Sequence, residues 1–185
     1  GPIAGCCVFF KACRQGAPSL YNRTVPRTYS IASAQHSPTA LERFYFPLPS
    51  TLPAHIDNLA IVVVTYKRQE LLANLFDSMT ELTATPWRIV IVDNENSRET
   101  EAMCTAFNER LANLWGIDTE QPDAQGGTDR VIYAPQLENG GGAGGFSAGT
   151  RCAYDLGAQW FWVMDDDVLV IPEGIERLAK WTDRY

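Results

Sequence analysis

Strand-like hydrophobic runs that alternate with amphipathic helical patterns constrain the fold of this chain more than any other feature. β-branched and aromatic runs predict four strands, at residues 59–65, 87–93, 130–134 and 159–164. Hydrophobic residues at helical spacing predict a helix after each strand, over residues 68–82, 96–115, 146–156 and 173–185. Asn96, with Glu99 three residues later, is the predicted cap of the second helix. This alternation predicts an α/β fold, with a mostly parallel sheet flanked by helices on both faces.

The first 58 residues differ in pattern from the rest of the 185-residue chain. Prolines interrupt their hydrophobic stretches, which predicts short strands or an extended arm, a short irregular or β-rich segment. They carry five Lys and Arg and two acids, whereas the remainder carries ten basic and twenty acidic residues. We therefore predict a boundary between an N-terminal segment (1–58, with Gly1-Pro2 as a tag scar) and a second domain (59–185). A basic arm that contacts a membrane or a partner, and a solvated leader, both fit this segment.

The overall composition excludes several classes of protein. A net charge of −7 argues against nucleic acid as a partner, because surfaces that bind nucleic acid are basic. A hydrophobic content of 45% is typical of a globular domain, and no apolar run reaches the roughly 20 residues that a membrane-spanning helix needs. The five cysteines include no Cys-x-x-Cys pair. We therefore expect no zinc site and a reducing compartment.

Three adjacent carboxylates, Asp165 to Asp167, end the fourth predicted strand. Side chains alternate along a strand, so Asp165 and Asp167 are expected to point the same way. Two such oxygen ligands suit Mg²⁺ or Mn²⁺, which keep open positions for phosphate oxygens. The alternative is a solvated acidic turn in which one Asp caps a helix.

Glycines crowd the segment from Asn139 to Phe146, where we predict a loop over residues 136–145 before the third helix. Glycine lets backbone approach a ligand closely, and the N-terminus of a helix favours an anion. Gly140, Gly142 and Gly145 also satisfy the dinucleotide-binding spacing G-x-G-x-x-G, although polar residues separate them from the preceding strand. A phosphate-binding loop, a dinucleotide-binding loop and a plain flexible loop therefore stay open.

Two further groups follow the first and second predicted strands. Thr65-Tyr66-Lys67-Arg68 offers a hydroxyl, an aromatic ring and two cations, which can hold a nucleotide base and phosphates. Asp93-Asn94 offers a carboxylate that can accept a hydrogen bond from a ribose hydroxyl or a base N–H. The alternatives are a helix N-terminus with exposed basic residues, and a turn with a cap. In a parallel sheet these loops share the carboxyl edge of the strands, where ligands bind.

Together these motifs resemble a known family. Val-Val-Val-Thr-Tyr-Lys-Arg (62–68), Ile-Val-Asp-Asn (91–94) and Val-Met-Asp-Asp-Asp (163–167) resemble the nucleotide-sugar half of the inverting family 2 glycosyltransferases. Those enzymes have the GT-A fold, a Rossmann-related architecture. The glycine loop is similar to that of bacterial galactofuranosyltransferases, which transfer galactofuranose from UDP-galactofuranose. The resemblance covers residues 59–185.

The resemblance implies roles for individual residues. It implies that the donor is a UDP-sugar. The residues that it implies for donor binding, with Asp165 at the D-x-D position, are Thr65, Tyr66, Arg68, Asp93, Asn139, Gly141, Gly142 and Asp165. It implies that Asp165 and Asp167 hold Mn²⁺ or Mg²⁺, with Asp167 as the direct ligand. It also implies a glycan or lipid-linked glycan acceptor, cell-wall polysaccharide synthesis, and a cytoplasmic protein at the inner face of the membrane.

Family members continue beyond the position of Tyr185, and their later half supplies the acceptor site and the catalytic Asp. We therefore expect the general base beyond Tyr185 and expect this chain alone to bind donor without turnover. Alternatives are another family 2 transferase, such as a rhamnosyltransferase, and a non-catalytic nucleotide- or dinucleotide-binding module. Acceptor, linkage and oligomeric state are not determined by these motifs.

Overall fold

A computed structural model describes residues 7–12 and 55–182. Within these ranges the chain forms five strands and four helices. The strands are β1 (Cys7–Lys11), β2 (Leu59–Thr65), β3 (Arg88–Asp93), β4 (Val131–Pro135) and β5 (Trp160–Asp165). The helices are α1 (Gln69–Thr80), α2 (Arg98–Trp115), α3 (Gly141–Leu156) and α4 (Gly174–Thr182).

The five strands form one sheet in the order β1-β5-β2-β3-β4. β5, β2, β3 and β4 run parallel, and β1 joins the edge antiparallel to β5. Every residue of β2 and β3 is buried, because helices cover both faces of the sheet. The α/β prediction with a mostly parallel sheet is therefore confirmed.

Two hydrophobic cores lie on opposite faces of the sheet. The larger core takes alternate β2 side chains such as Ile61 and packs them against α1, α2 and α4. The smaller core takes the intervening side chains, such as Val62, and packs them against α3. Among the described helices, none is both long and apolar enough to cross a membrane.

The N-terminal edge strand is a feature that the sequence pattern left open. β1 pairs with β5 from Cys7 opposite Met164 to Lys11 opposite Trp160. The rings of Phe9 and Trp160 stack with centroids 5.1 Å apart, and those of Phe10 and Phe161 at the same distance. The predicted boundary at residue 58 stays a prediction, because residues 13–54 lie outside the described part of the chain.

The glycine segment departs from the prediction. Gly141–Gly145 form the first turns of α3, whereas we predicted a loop up to residue 145. A helix this rich in glycine is unfavourable alone, but packing against the sheet overrides local propensity. Two of its glycines, Gly145 and Gly149, lie very close to the sheet. A Cβ at Gly149 would lie 2.5 Å from both Val62 and Val92.

The predicted cap of α2 is displaced by one residue. Ser97 is the N-cap, and its hydroxyl accepts a hydrogen bond from the backbone N–H of Thr100 at 3.0 Å. Asn96, which we predicted as the cap, instead has a positive φ of 56°. A short polar side chain tolerates this left-handed conformation, which lets the chain turn from β3 into the helix.

Candidate functional site

The carboxyl ends of three neighbouring strands bring the predicted site residues to one edge of the sheet. Thr65 pairs with Asp93 across β2 and β3, and Val64 pairs with Asp165 across β2 and β5. The chain runs from β2 through β3 to β4 in one direction, whereas β5 lies on the other side of β2. A crevice opens at such a reversal of strand order, and ligands of open α/β sheets bind there.

Asp166 joins the ends of β2 and β5. Its side chain is 3% exposed. One oxygen accepts a hydrogen bond from the Thr65 hydroxyl at 2.7 Å, and the other lies 3.2 Å from Nη1 of Arg68. The alternation of side chains along a strand predicts Asp165 and Asp167 as the site carboxylates and does not predict the role of Asp166. The strand ends at Asp165, so alternation does not extend to the following turn.

Asp167, the last carboxylate of the Asp165–Asp167 triplet, has a buried oxygen that accepts no hydrogen bond from the described residues. Its Oδ2 lies 3.5 Å from Nη1 of Arg68, whereas its buried Oδ1 has no hydrogen-bond partner among the described residues. A buried carboxylate oxygen without a partner is costly, and a cation would satisfy it. Asp165 is half-buried at the end of β5.

The described part of the chain does not by itself provide a complete set of metal ligands. No group of three or more His, Cys, Asp or Glu side chains converges there on a position that could hold a metal ion. Asp165 and Asp167 nevertheless have the hard oxygen chemistry that Mg²⁺ and Mn²⁺ prefer, and such ions take further ligands from water and substrate phosphates. The donor set therefore fits a divalent cation that is held partly by its substrate.

Asp93 is fully buried and engaged within the protein. Its Oδ1 accepts a hydrogen bond from the N–H of Glu95, and its Oδ2 accepts from the N–H of Ser97 and the hydroxyl of Tyr133. Burial and the hydrogen bond to Asp93 raise the pKa of Tyr133 above its ordinary value. Asp93 thus shapes the turn after β3, and its role in binding a donor stays a prediction.

Tyr133 was missed because its position in β4 carries no motif. A tyrosine in a strand usually packs in the core, and only the tertiary structure shows that its hydroxyl reaches Asp93 and the carbonyl of Ser97, at 3.1 Å.

The start of α3 lies beside Asn94. The side-chain amide of Asn94 donates to the carbonyl of Gly141 at 3.2 Å, and the side-chain oxygen of Asn139 accepts from the N–H of Gly141 at 2.8 Å. Gly141 has a φ of 64°, which glycine adopts without strain. Gly142 is exposed in the first helical turn, where backbone N–H groups point toward solvent or an anion.

Tyr66 and Lys67 lie on the solvent side of the same edge. Tyr66 is 42% exposed, and Nζ of Lys67 lies 5.3 Å from the centroid of its ring. The structure therefore gathers Thr65, Arg68 and Asp166 into one hydrogen-bonded cluster and leaves the neighbouring residue Tyr66 exposed.

Comparison with known proteins identifies the family of this chain. The sequence model of glycosyl transferase family 2 matches residues 60–185, which is more than half of the chain. The chain belongs to glycosyl transferase family 2. The matched residues include β2 from Ala60 onward, β3, β4 and β5, together with the whole carboxyl edge described above.

Galactofuranosyltransferases are among the curated proteins that this chain is similar to. The chain is 33% identical over 113 residues to galactofuranosyltransferase GlfT1 of Mycolicibacterium smegmatis, a match that covers 61% of this chain and 31% of that protein. It is 32% identical over 111 residues to GlfT1 of Mycobacterium tuberculosis strain H37Rv, covering 60% and 31%. The match thus spans about a third of the length of these relatives.

Two solved structures are more distant from this chain in sequence. S. aureus TarS 1–349 in complex with UDP aligns with a TM-score of 0.48 at 15% identity, over 69% of this chain and 32% of that one. Mannosyltransferase PcManGT from Pyrobaculum calidifontis, in complex with GDP-Man and Mn²⁺, aligns with a TM-score of 0.49 at 17% identity, over 78% and 37%.

Proposed function

We propose that this family 2 chain carries the donor-binding part of an inverting galactofuranosyltransferase that uses UDP-galactofuranose. The observation that supports the proposal most is the cluster of Thr65, Arg68 and the Asp165–Asp167 triplet at the strand-order reversal. The similarity to the GlfT1 proteins supports the choice of donor.

The proposed donor site uses the residues of the carboxyl edge. Arg68 offers its planar guanidinium to a diphosphate, and the N-terminus of α3, with Gly141, Gly142 and Asn139, favours the same anion. The exposed ring of Tyr66 offers a stacking surface for the uracil base. Thr65 and Asp93 hold the ends of β2 and β3 and, in this proposal, contact the donor.

Asp165 and Asp167 would hold the Mn²⁺ or Mg²⁺ that the family implies. When bound, the cation neutralises charge that develops on the leaving diphosphate. The acceptor hydroxyl attacks the anomeric carbon in line, the bond to the diphosphate breaks, and a general base takes the hydroxyl proton. We assign that base to none of the residues described at this edge. In this proposal the acceptor is a glycan or a lipid-linked glycan, met at the inner face of the membrane.

Titration calorimetry with UDP tests the donor and metal assignment. We expect UDP to bind in the presence of Mn²⁺, with the affinity for Mn²⁺ reduced roughly tenfold or more in Asp167→Ala. Asp155→Ala is the matched control, because it removes one carboxylate that is exposed on α3 and paired with Arg151. It should bind UDP and Mn²⁺ like the wild type.

Competition between donors tests the sugar. UDP-galactofuranose should displace UDP at lower concentration than dTDP-rhamnose does. Stronger binding of dTDP-rhamnose would contradict the galactofuranosyl assignment within the family. Binding of NAD without metal would instead favour a dinucleotide-binding module.

A further inference from the structure

We propose that Arg68 is an internal counter-ion of the metal site. Its guanidinium competes with the divalent cation for Asp167 until a nucleoside diphosphate binds to the guanidinium. The inference rests on the proposed function and extends it, because it makes cation binding depend on the diphosphate. It concerns an exchange of partners by one side chain in the donor site.

The position of Arg68 is the first observation. Arg68 stands between β2 and α1 as the N-cap residue of the helix, so its backbone is fixed at the sheet edge. Its side chain is 52% exposed, and its Nη1 lies 3.2 Å from Asp166 and 3.5 Å from Asp167. A single guanidinium nitrogen therefore faces two carboxylates of the triplet.

The two carboxylates differ in how firmly they are held. Asp166 is 3% exposed, and the Thr65 hydroxyl occupies its second oxygen at 2.7 Å. Asp167 is 22% exposed, its contact with Arg68 is the longer one, and its Oδ1 has no partner among the described residues. Asp166 is thus committed to the protein, whereas Asp167 can exchange Arg68 for another cation.

A divalent cation on Asp167 would lie close to the guanidinium, and the two positive charges repel each other. Half of the Arg68 side chain is in solvent, so the guanidinium can swing away from Asp167 while its backbone stays in place. A diphosphate is a better partner for it, because a guanidinium binds phosphate oxygens bidentately. Diphosphate binding therefore relieves the repulsion, and cation and diphosphate bind with positive coupling.

The test measures Mn²⁺ affinity in the full 185-residue chain by calorimetry and by the electron paramagnetic resonance of free Mn²⁺, with and without UDP. In Arg68→Met we expect Mn²⁺ alone to bind roughly three- to tenfold more tightly than in the wild type, and the gain in Mn²⁺ affinity caused by UDP to shrink by a similar factor. Arg68→Lys keeps a positive charge and should stay closer to the wild type. This variant separates loss of the charge from loss of the side chain's packing.

Arg151→Met is the matched control. It also removes one guanidinium from an exposed carboxylate, Asp155 on α3, and changes the net charge equally. We expect its Mn²⁺ affinity to change less than about twofold, because Arg151 is paired with Asp155 and both side chains are exposed to solvent and salt, which screen their charges.

The outcomes distinguish a failure of this inference from a failure of the proposed function. If the wild type binds UDP but Arg68→Met, folded by circular dichroism, gains no affinity for Mn²⁺, the counter-ion role is wrong and the donor site stands. An equal gain in Arg151→Met or in Arg68→Lys would also contradict it. If the wild type binds no UDP at any Mn²⁺ concentration, the proposed function itself fails.

Discussion

At the scale of single residues, the buried polar groups determine how the carboxyl edge is built. A buried carboxylate needs hydrogen-bond donors, and Asp166 finds them in Thr65 and Arg68. Asp93 finds them in two backbone N–H groups and in Tyr133. Asp166 therefore connects the loops after β2 and β5, and Asp93 connects the turn after β3 to β4.

Replacement of Thr65 by valine tests this role of Asp166. The change keeps the shape of the side chain but leaves one oxygen of Asp166 buried without its donor. We expect the free energy of unfolding to fall by about 1–3 kcal/mol, measured by urea denaturation. Thr105→Val, which removes an exposed hydroxyl on α2 that donates to the carbonyl of Glu101, should change it by less than about 0.5 kcal/mol. An equal effect of the two changes would contradict a special role of Thr65.

Alkaline pH should destabilise the fold through Cys104. Burial raises the pKa of this thiol to about 12, from an ordinary value of 9.0. Above pH 9 the unfolded state loses the thiol proton while the folded state retains it, so stability falls as pH rises from 9 to 12. The decrease approaches about 1.4 kcal/mol per pH unit for a single group. Urea denaturation at pH 8, 9 and 10 should show this slope in the wild type and a shallower one in Cys104→Ala.

At the scale of elements, α3 is the helix whose residues fit the sheet most closely. Its small residues Gly145, Gly149 and Ala153 are buried and allow the helix axis to approach β2 and β3. At Gly145 a Cβ would lie 2.6 Å from a methyl group of Val64 and 3.2 Å from the Asn94 amide. The contact keeps the N-terminus of α3 beside the carboxyl edge of the sheet.

Two glycine-to-alanine changes in this helix should have opposite effects. Gly149→Ala introduces a Cβ 2.5 Å from Val62 and Val92, and we expect overpacking to lower the free energy of unfolding by about 1–3 kcal/mol. Gly144→Ala meets nothing within 4 Å, and we expect a gain of about 0.5–1 kcal/mol because alanine favours a helix. Urea denaturation of both variants measures the difference. The packing interpretation is wrong if Gly149→Ala is as stable as Gly144→Ala.

At the amino ends of β3 and β4, hydrogen bonds that no sequence pattern predicted hold a loop in place. Two buried arginines hold the loop between α2 and β4 through its carbonyls. Arg88 donates to Gln121 at 3.1 Å and to Gly127 at 2.9 Å, and Arg130 donates to Gly116 at 3.1 Å. Burial lowers the pKa of both guanidinium groups. Arg88 is the first residue of β3 and Arg130 directly precedes β4, and neither position carries a sequence pattern that predicts this role.

At the scale of the whole molecule, β1 closes one edge of the sheet from far away in sequence. It protects the outer side of β5, the strand that ends in the carboxylate triplet. Without β1 the buried strand β5 would be an exposed edge, and such an edge can pair with other chains. β1 also adds aromatic stacking.

Deletion of residues 1–12 tests this contribution. We expect the free energy of unfolding to fall by on the order of 2 kcal/mol or more, since two stacked ring pairs are lost. Amide hydrogen exchange should accelerate in β5, and light scattering should show association at high concentration. Deletion of residues 1–6 alone retains β1 and should leave both measurements near the wild type. Unchanged exchange in β5 after the longer deletion would contradict the pairing.

The sequence by itself determined the α/β class, the order of the elements from β2 to α4, and the loops that carry the site. These follow from local periodicity, because a buried strand and an amphipathic helix each place hydrophobic residues at a characteristic spacing. It also placed Thr65, Arg68, Asp93 and the triplet at one edge, since the loops after parallel strands share that edge.

Only the tertiary structure decided which side chains meet there. The pairing of β1 with β5, the burial of Asp166, the hydroxyl of Tyr133 on Asp93 and the helical state of the glycine run all depend on neighbours distant in sequence. Such contacts leave no periodic signal in the chain, because they are fixed by packing and hydrogen bonding between elements once the sheet has formed.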